Sequence, residues 1–337
     1  MDAIQLERFT LKRPLGIGAN YEVHAAIDSQ TGREVVLKRP WAQFLSRGQY
    51  QHVDNLSARL IEVHRALGDA LPYVSHLIGY TDCTQHDAYF GDLLPQKYHV
   101  LVEERARGVP LVASARDKFI GVPIGLVQNL FTLYPLVSRA DKTSPGILQQ
   151  LLDVEEAFYN AGFLVLDMRP QNVFFDPKEG RITVIDIGGF LASGTGRGKN
   201  GGPDLHDAFA ELCKFYLTPH SPPAHVNGYR DPFGMGPDLG FRKELDRMLQ
   251  SFLGITTPPL QEAAVAILRK VKERGYGTVG EFRGDLQQVL ALVSERNSTL
   301  PDVPSLVRVW REGMEMLKDK YWRKFLFDPD ADLIHYL

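Results

Sequence analysis

Cysteine is scarce, apolar runs are short and neither sign of charge dominates, and each shortage removes a class of function. The 337 residues include two cysteines, Cys83 and Cys213. They are far apart and lack the CxxC spacing of a zinc or redox site, so they are read as reduced thiols of a cytosolic chain. No stretch approaches the ~18 apolar residues that a membrane span needs. The opening MDAIQLERFT carries no apolar core of a secretory leader. With 38 basic and 41 acidic residues the formal charge is −3, so no global field draws the chain to nucleic acid or an anionic membrane. The expectation is a cytoplasmic globular protein without a membrane span or a nucleic-acid partner. A hydrophobic share of 44% is enough for one large core or two lobes.

The first third alternates like β-structure. FTLKRPLGIGAN, YEVHAAID and REVVLKRP read as strands, with Ser29 to Gly32 supplying hairpin chemistry between the last two. Leu56, Leu60, Val63 and Leu67 then recur at helical spacing, with Asp54 or Asn55 as N-cap and Gly68 as stop. SHLIGYTDC and KYHVLVEER add two more β-like runs. From about Arg105 helical stripes take over: Ile147, Leu151, Val154 and Phe158, then Leu260, Ala264, Ile267 and Val271, then Val279, Phe282, Leu286 and Val289. The pattern predicts an α+β chain: a β-rich lobe with one helix over 1–104, a larger helical lobe over 105–298, and a helical extension over 299–337.

Three stretches carry chemistry. In GIGANYEV, Gly16 and Gly18 sit between two predicted strands. Their backbone N–H groups can approach a phosphate, or the segment is an ordinary hairpin; a strand follows, which excludes a Rossmann turn. Lys38 ends the strand VVLK, and Glu62 is the sole glutamate between it and Glu103. The loop in GFLVLDMRPQNVFF places Asp167, Arg169, Pro170 and Asn172 between two apolar runs that read as core strands, and Asp186 follows in the apolar strand RITVIDIGGF. A carboxylate and an amide are hard oxygen ligands suited to Mg²⁺. A separate carboxylate can orient a hydroxyl, and a neighbouring cation can offset charge on a phosphoryl group.

In this order the motifs resemble those of the protein kinase superfamily, nearest to eukaryotic-like Ser/Thr kinases. GIGANYEV is similar to the Gly-rich loop, VVLK to the lysine strand, VLDMRPQN to the catalytic loop and DIG to the magnesium-binding D-F-G. The resemblance covers about residues 9–215 and implies a bilobal kinase-like fold that uses ATP and Mg²⁺. It implies that Gly16 and Gly18 cover phosphates, that Lys38 contacts them and pairs with Glu62, and that Asp167 is the catalytic base beside Arg169. Asn172 and Asp186 would hold magnesium. Glu103 and Arg105 would offer backbone to adenine with Val102 as gatekeeper, and Val23, Val36 and Phe174 would sandwich the base.

Several positions depart from that pattern. Tyr21 replaces the third loop glycine, which puts a bulky ring near the phosphate cover, and Val165-Leu166 replaces His-Arg. No A-P-E follows Asp186, a glycine-rich segment covers 194–202, and Asp204 or Asp207 would be the structural acid of the next helix. Residues 109–146 form an insert, and 303–327 an amphipathic tail, either of which could dock a partner. The expected activity is transfer of a γ-phosphoryl group to a Ser/Thr hydroxyl of a protein. The alternatives are a small-molecule kinase of the same superfamily and a nucleotide-binding pseudokinase scaffold.

Overall fold

The structure is a computed structural model that describes residues 3–18, 20–48, 51–68, 71–91, 96–115, 118–121, 146–187, 191–193, 204–217, 245–246, 248–250, 253, 258–298 and 322–335. The fold is α+β, and the chain divides into two compact units, Met1–Ala106 and Arg107–Leu337. No helix among the described residues is long and apolar enough to cross a membrane.

The first unit is built on β1 (Phe9–Ile17), β2 (Tyr21–Asp28), β3 (Glu34–Pro40), β4 (Leu77–Tyr80) and β5 (Leu101–Glu104). They pair antiparallel in the order β1-β2-β3-β5-β4. The β2–β3 turn closes as its composition predicts: Gly32 takes φ +70°, and the Asp28 carboxylate accepts from the Gln30 N–H and the Thr31 hydroxyl. Side chains alternate between the faces of a strand, and here the two faces do different work. Ala26, Val35, Leu37 and Val102 join Leu6, Phe9, Leu45, Tyr98 and Val100 in the main core. Leu15, Ala25 and Val36 form a second apolar cluster with Val23 packed against it.

The predicted helix is α2 (Gln51–Leu67), and it stops at Gly68, which adopts φ +51°. It begins before Asp54, because the Asp54 carboxylate is turned to the His99 backbone N–H instead of capping the helix. Two short helices join it, α1 (Ala42–Ser46) and α3 (Asp87–Phe90). Each is too short to leave a periodic signal in the sequence.

The second unit mixes short strands with helices. In chain order these are β6 (Val109–Pro110), β7 (Val112–Ala115), β8 (Lys118–Gly121), α4 (Ile147–Asn160), β9 (Phe163–Val165), β10 (Val173–Asp176), β11 (Arg181–Val184) and β12 (Leu191–Ser193). Helices α5 (Leu205–Leu212), α6 (Pro258–Lys272), α7 (Val279–Ser298) and α8 (Pro329–Leu333) follow. The anticipated stripes are the buried faces of α4, α6 and α7. β9, β10 and β11 fall in the apolar runs that read as strands on either side of the Asp167 loop and before Asp186, whereas β6, β7, β8 and β12 were not anticipated. The strands pair as β11-β10-β6, β12-β9 and β7-β8. Gly108 is required at the start of this unit: it holds φ +79°, and a Cβ there would collide with the Phe175 carbonyl. Of the proposed docking segments, residues 116–117, 122–145 and 303–321 lie outside the described residues, as do 194–202. In the described part of the tail, the Phe325 ring meets Phe174 edge-on at 5.3 Å between centroids, within this unit.

Candidate functional site

Helix α4 ends at Asn160 and the chain reverses through Gly162, at φ +85°, into β9. Val165, Leu166 and Met168 are buried, so the segment before and after Asp167 is anchored by apolar packing. The loop then makes one 3₁₀ turn over Pro170–Asn172, where proline supplies the fixed φ, and enters β10. The antiparallel β10–β11 hairpin returns the chain beside the loop. The Ile185 N–H donates to the Asn172 carbonyl at 2.8 Å, which sets Asp186 next to the loop.

Asp167, Asn172 and Asp186 are thereby brought together. The Asn172 amide nitrogen donates to the Asp167 carbonyl at 3.0 Å and to its carboxylate at 3.2 Å. That leaves the amide carbonyl as the ligand atom Asn172 can offer a cation. Arg169 forms an ion pair with the Asp167 carboxylate. Burial pushes the Asp167 pKa up to about 6, against the downward pull of Arg169, and the Asp186 charge adds to the rise. Both acids have left-handed backbone, φ +80° at Asp167 and +60° at Asp186. Such strain in non-glycine residues persists only where the surroundings hold it, and it collects at functional sites.

What holds Asp167 is a buried acid absent from the sequence expectation. Glu211, on α5, accepts from the Asp167 backbone N–H at 2.9 Å, and Tyr216 donates its hydroxyl to the Met168 carbonyl at 2.6 Å. Tyr216 reaches that carbonyl from a π-helical turn, Cys213–Leu217, that continues α5. Burial first, then the Asp167 charge, raises the Glu211 pKa to about 8. Behind it Glu155 of α4 is fully buried, beside the Val165 backbone and the Glu211 carboxyl. Burial and then the Glu211 charge hold Glu155 protonated well above the usual carboxylate range. Asp204 and Asp207, the two candidates for the structural acid of this helix, form the capping box of α5. Nothing in the sequence marks this role: α5 is buried on every side, and such a helix shows no apolar stripe that would set its glutamate apart.

In the first unit several expectations meet a different arrangement. Lys38 is buried and pairs with Glu103 at 2.9 Å, whereas Glu62 is exposed and forms no ion pair among the described residues. The reason is register: Lys38 lies opposite Leu101, so Glu103 is its diagonal neighbour on the same sheet face. The Ser75 hydroxyl, 3.5 Å from Glu103, completes this side. Glu103 is therefore engaged through its side chain, and its backbone lies between Val36 and Leu77 in the ladder, with no open edge for a base. Val102 points into the opposite, main core. Arg105 is buried against Glu34. Tyr21 does not hang over the glycines: its ring is buried, and its hydroxyl is 3.0 Å from the Ser57 hydroxyl on α2.

Gly16 and Gly18 lie at the end of β1 and just beyond it, and the Gly18 N–H donates to the Tyr21 carbonyl at 2.8 Å. Neither has positive φ, and a Cβ at Gly16 would meet nothing within 4 Å. Val23 and Val36 belong to the second apolar cluster of the sheet, and Phe174 packs on Phe325 in the second unit.

The donor set at Asn172 and Asp186, one amide oxygen and one carboxylate beside a raised-pKa acid, fits a hard cation such as Mg²⁺. Cys83 is exposed, Cys213 is buried, and they form no disulfide. Compared with protein-family models and with curated proteins, the chain matches none.

Proposed function

We propose that the protein is an ATP- and Mg²⁺-dependent phosphotransferase of kinase-like bilobal fold, acting on a Ser/Thr hydroxyl of a protein. The observation that carries this reading is the convergence of Asp167, Asn172 and Asp186, with both acids strained into left-handed backbone. Strain of about 1–3 kcal/mol at each of two neighbouring acids is hard to explain by packing alone.

The chain's own residues divide the work. Asp167 accepts the proton of the attacking hydroxyl, and its raised pKa keeps it a usable base near neutral pH. Arg169, already ion-paired with Asp167, supplies positive charge where the transferring phosphoryl group carries negative charge. Asn172 and Asp186 would hold the metal, which when bound neutralises phosphate charge. Glu211 and Tyr216 fix the loop so that these groups need no rearrangement.

A second reading, a nucleotide-binding scaffold, is favoured by one observation: the buried partner of Lys38 is Glu103 and not an acid of α2. Transfer from γ-labelled ATP to protein and metabolite panels separates the two. Asp167→Asn should leave nucleotide affinity unchanged and lower transfer by roughly 10²–10⁴. No transfer by the wild type to any acceptor would leave the scaffold.

A further inference from the structure

Apart from the residues above, the first unit gathers three different metal-ligand side chains at one point. Asp54 lies in the first turn of α2, Cys83 in the segment after β4, and His99 just before β5. One ligand atom from each lies within 4.8 Å of the other two. His99 Nδ1 is 2.8 Å from Asp54 Oδ1, and the Cys83 sulfur is 3.9 Å from Asp54 Oδ2. The His99 backbone N–H also donates to Asp54 Oδ1 at 3.0 Å, which orients the carboxylate. Asp54 and His99 are half-buried and Cys83 is exposed, so the cluster is fixed at its base and open to solvent on one side.

The geometry points to a transition-metal site of the Zn²⁺ class, with Asp54, Cys83 and His99 as three protein ligands and water as the fourth. Zinc bonds of about 2.3 Å to sulfur and 2.0–2.1 Å to nitrogen and oxygen, at tetrahedral angles, separate the donors by about 3.3–3.5 Å. The 2.8 and 3.9 Å contacts run to the two different Asp54 oxygens, and all three donors lie within 4.8 Å of one another, so the side chains need only close around a shared point to admit the ion. Thiolate with imidazole selects zinc or cobalt over the hard cation suited to Asn172 and Asp186. Because the ligands come from α2 and from both segments flanking β4–β5, a bound ion would clasp the helix to the sheet of its own unit. Without metal, a proton between His99 and Asp54 does the same more weakly.

The test uses full-length, reduced, chelator-treated protein titrated with Co²⁺. The chain has two cysteines and Cys213 is buried, so a thiolate-to-cobalt charge-transfer band reports Cys83. One Co²⁺ per chain is expected, with tetrahedral visible bands that Zn²⁺ displaces. Cys83→Ser should abolish the band, and Asp54→Asn and His99→Gln should each weaken binding about tenfold or more. Wild-type protein gives a variant-independent readout: Zn²⁺ should protect Cys83 from alkylation and raise the melting temperature. No band and no protection overturn the site. Equal affinity in Asp54→Asn and His99→Gln also overturns it, leaving an adventitious thiol beside an ordinary Asp–His pair.

Discussion

Lys38 and Glu103 are each about nineteen-twentieths buried, with side-chain exposures of 6% and 5%. Removing one partner of a buried ion pair leaves the other charge without compensation, which typically costs roughly 3 kcal/mol or more. Glu103→Ala should therefore lower the melting temperature by many degrees, while Glu62→Ala should leave it unchanged. Paired thermal scans of the two variants check this, and a large loss in Glu62→Ala would restore the helix acid as the partner. The wrong partner was the natural one to choose from sequence, since Glu62 is the single glutamate between Lys38 and Glu103 in chain order. Which residues meet diagonally across two strands is set by register, and no local pattern displays register when the strands are sixty residues apart. The loop acids were legible for the opposite reason. Asp167, Arg169 and Asn172 lie within six residues of one another, so their proximity is local and survives any error in the wider fold.

The elements behind the loop carry a pH signature. Glu155 on α4 and Glu211 on α5 are buried together, and the folded protein raises both pKa values from the ordinary 4.5, Glu211 to about 8. A carboxyl group raised in this way stays protonated in the folded chain while the unfolded chain ionises. Its favourable contribution is complete below the ordinary carboxylate range and is lost as pH rises towards the folded value. Glu155→Gln keeps the shape, cannot ionise and removes one of the two opposed acids. The melting temperature of the variant minus that of wild type should therefore grow steadily from about pH 5 to about pH 8. Differential scanning calorimetry across that range checks it, and a constant difference would show that Glu155 is ionised in the folded chain. Helices α4, α6 and α7 were readable because their apolar stripes repeat over three or more turns. The function of α5 was not, because a helix buried on every side shows no stripe to orient its polar residues.

At the scale of the whole chain, nucleotide and metal should act as folding ligands. If Asn172 and Asp186 hold the cation, ATP with Mg²⁺ should protect the protein from heat far better than ATP with EDTA, by mass action. Asp186→Ala should erase the difference between the two conditions. Metal-dependent protection that persists in this variant would remove Asp186 from the site. The division at Ala106/Arg107 is close to where the composition turns from strands to helices. The short strands β6, β7, β8 and β12 were invisible, because two to four residues cannot show a period, while β9 to β11 showed as continuous apolar runs. The left-handed backbone at Asp167 and Asp186 has a consequence for anyone selecting variants. Asparagine and glycine occupy that region more comfortably than most residues, and at Asp167 neither carries the charge that burial opposes. A library sorted for cellular abundance or heat resistance would therefore be expected to enrich asparagine or glycine at these two positions, promoting the very proteins that, on the proposed reading, have lost their chemistry.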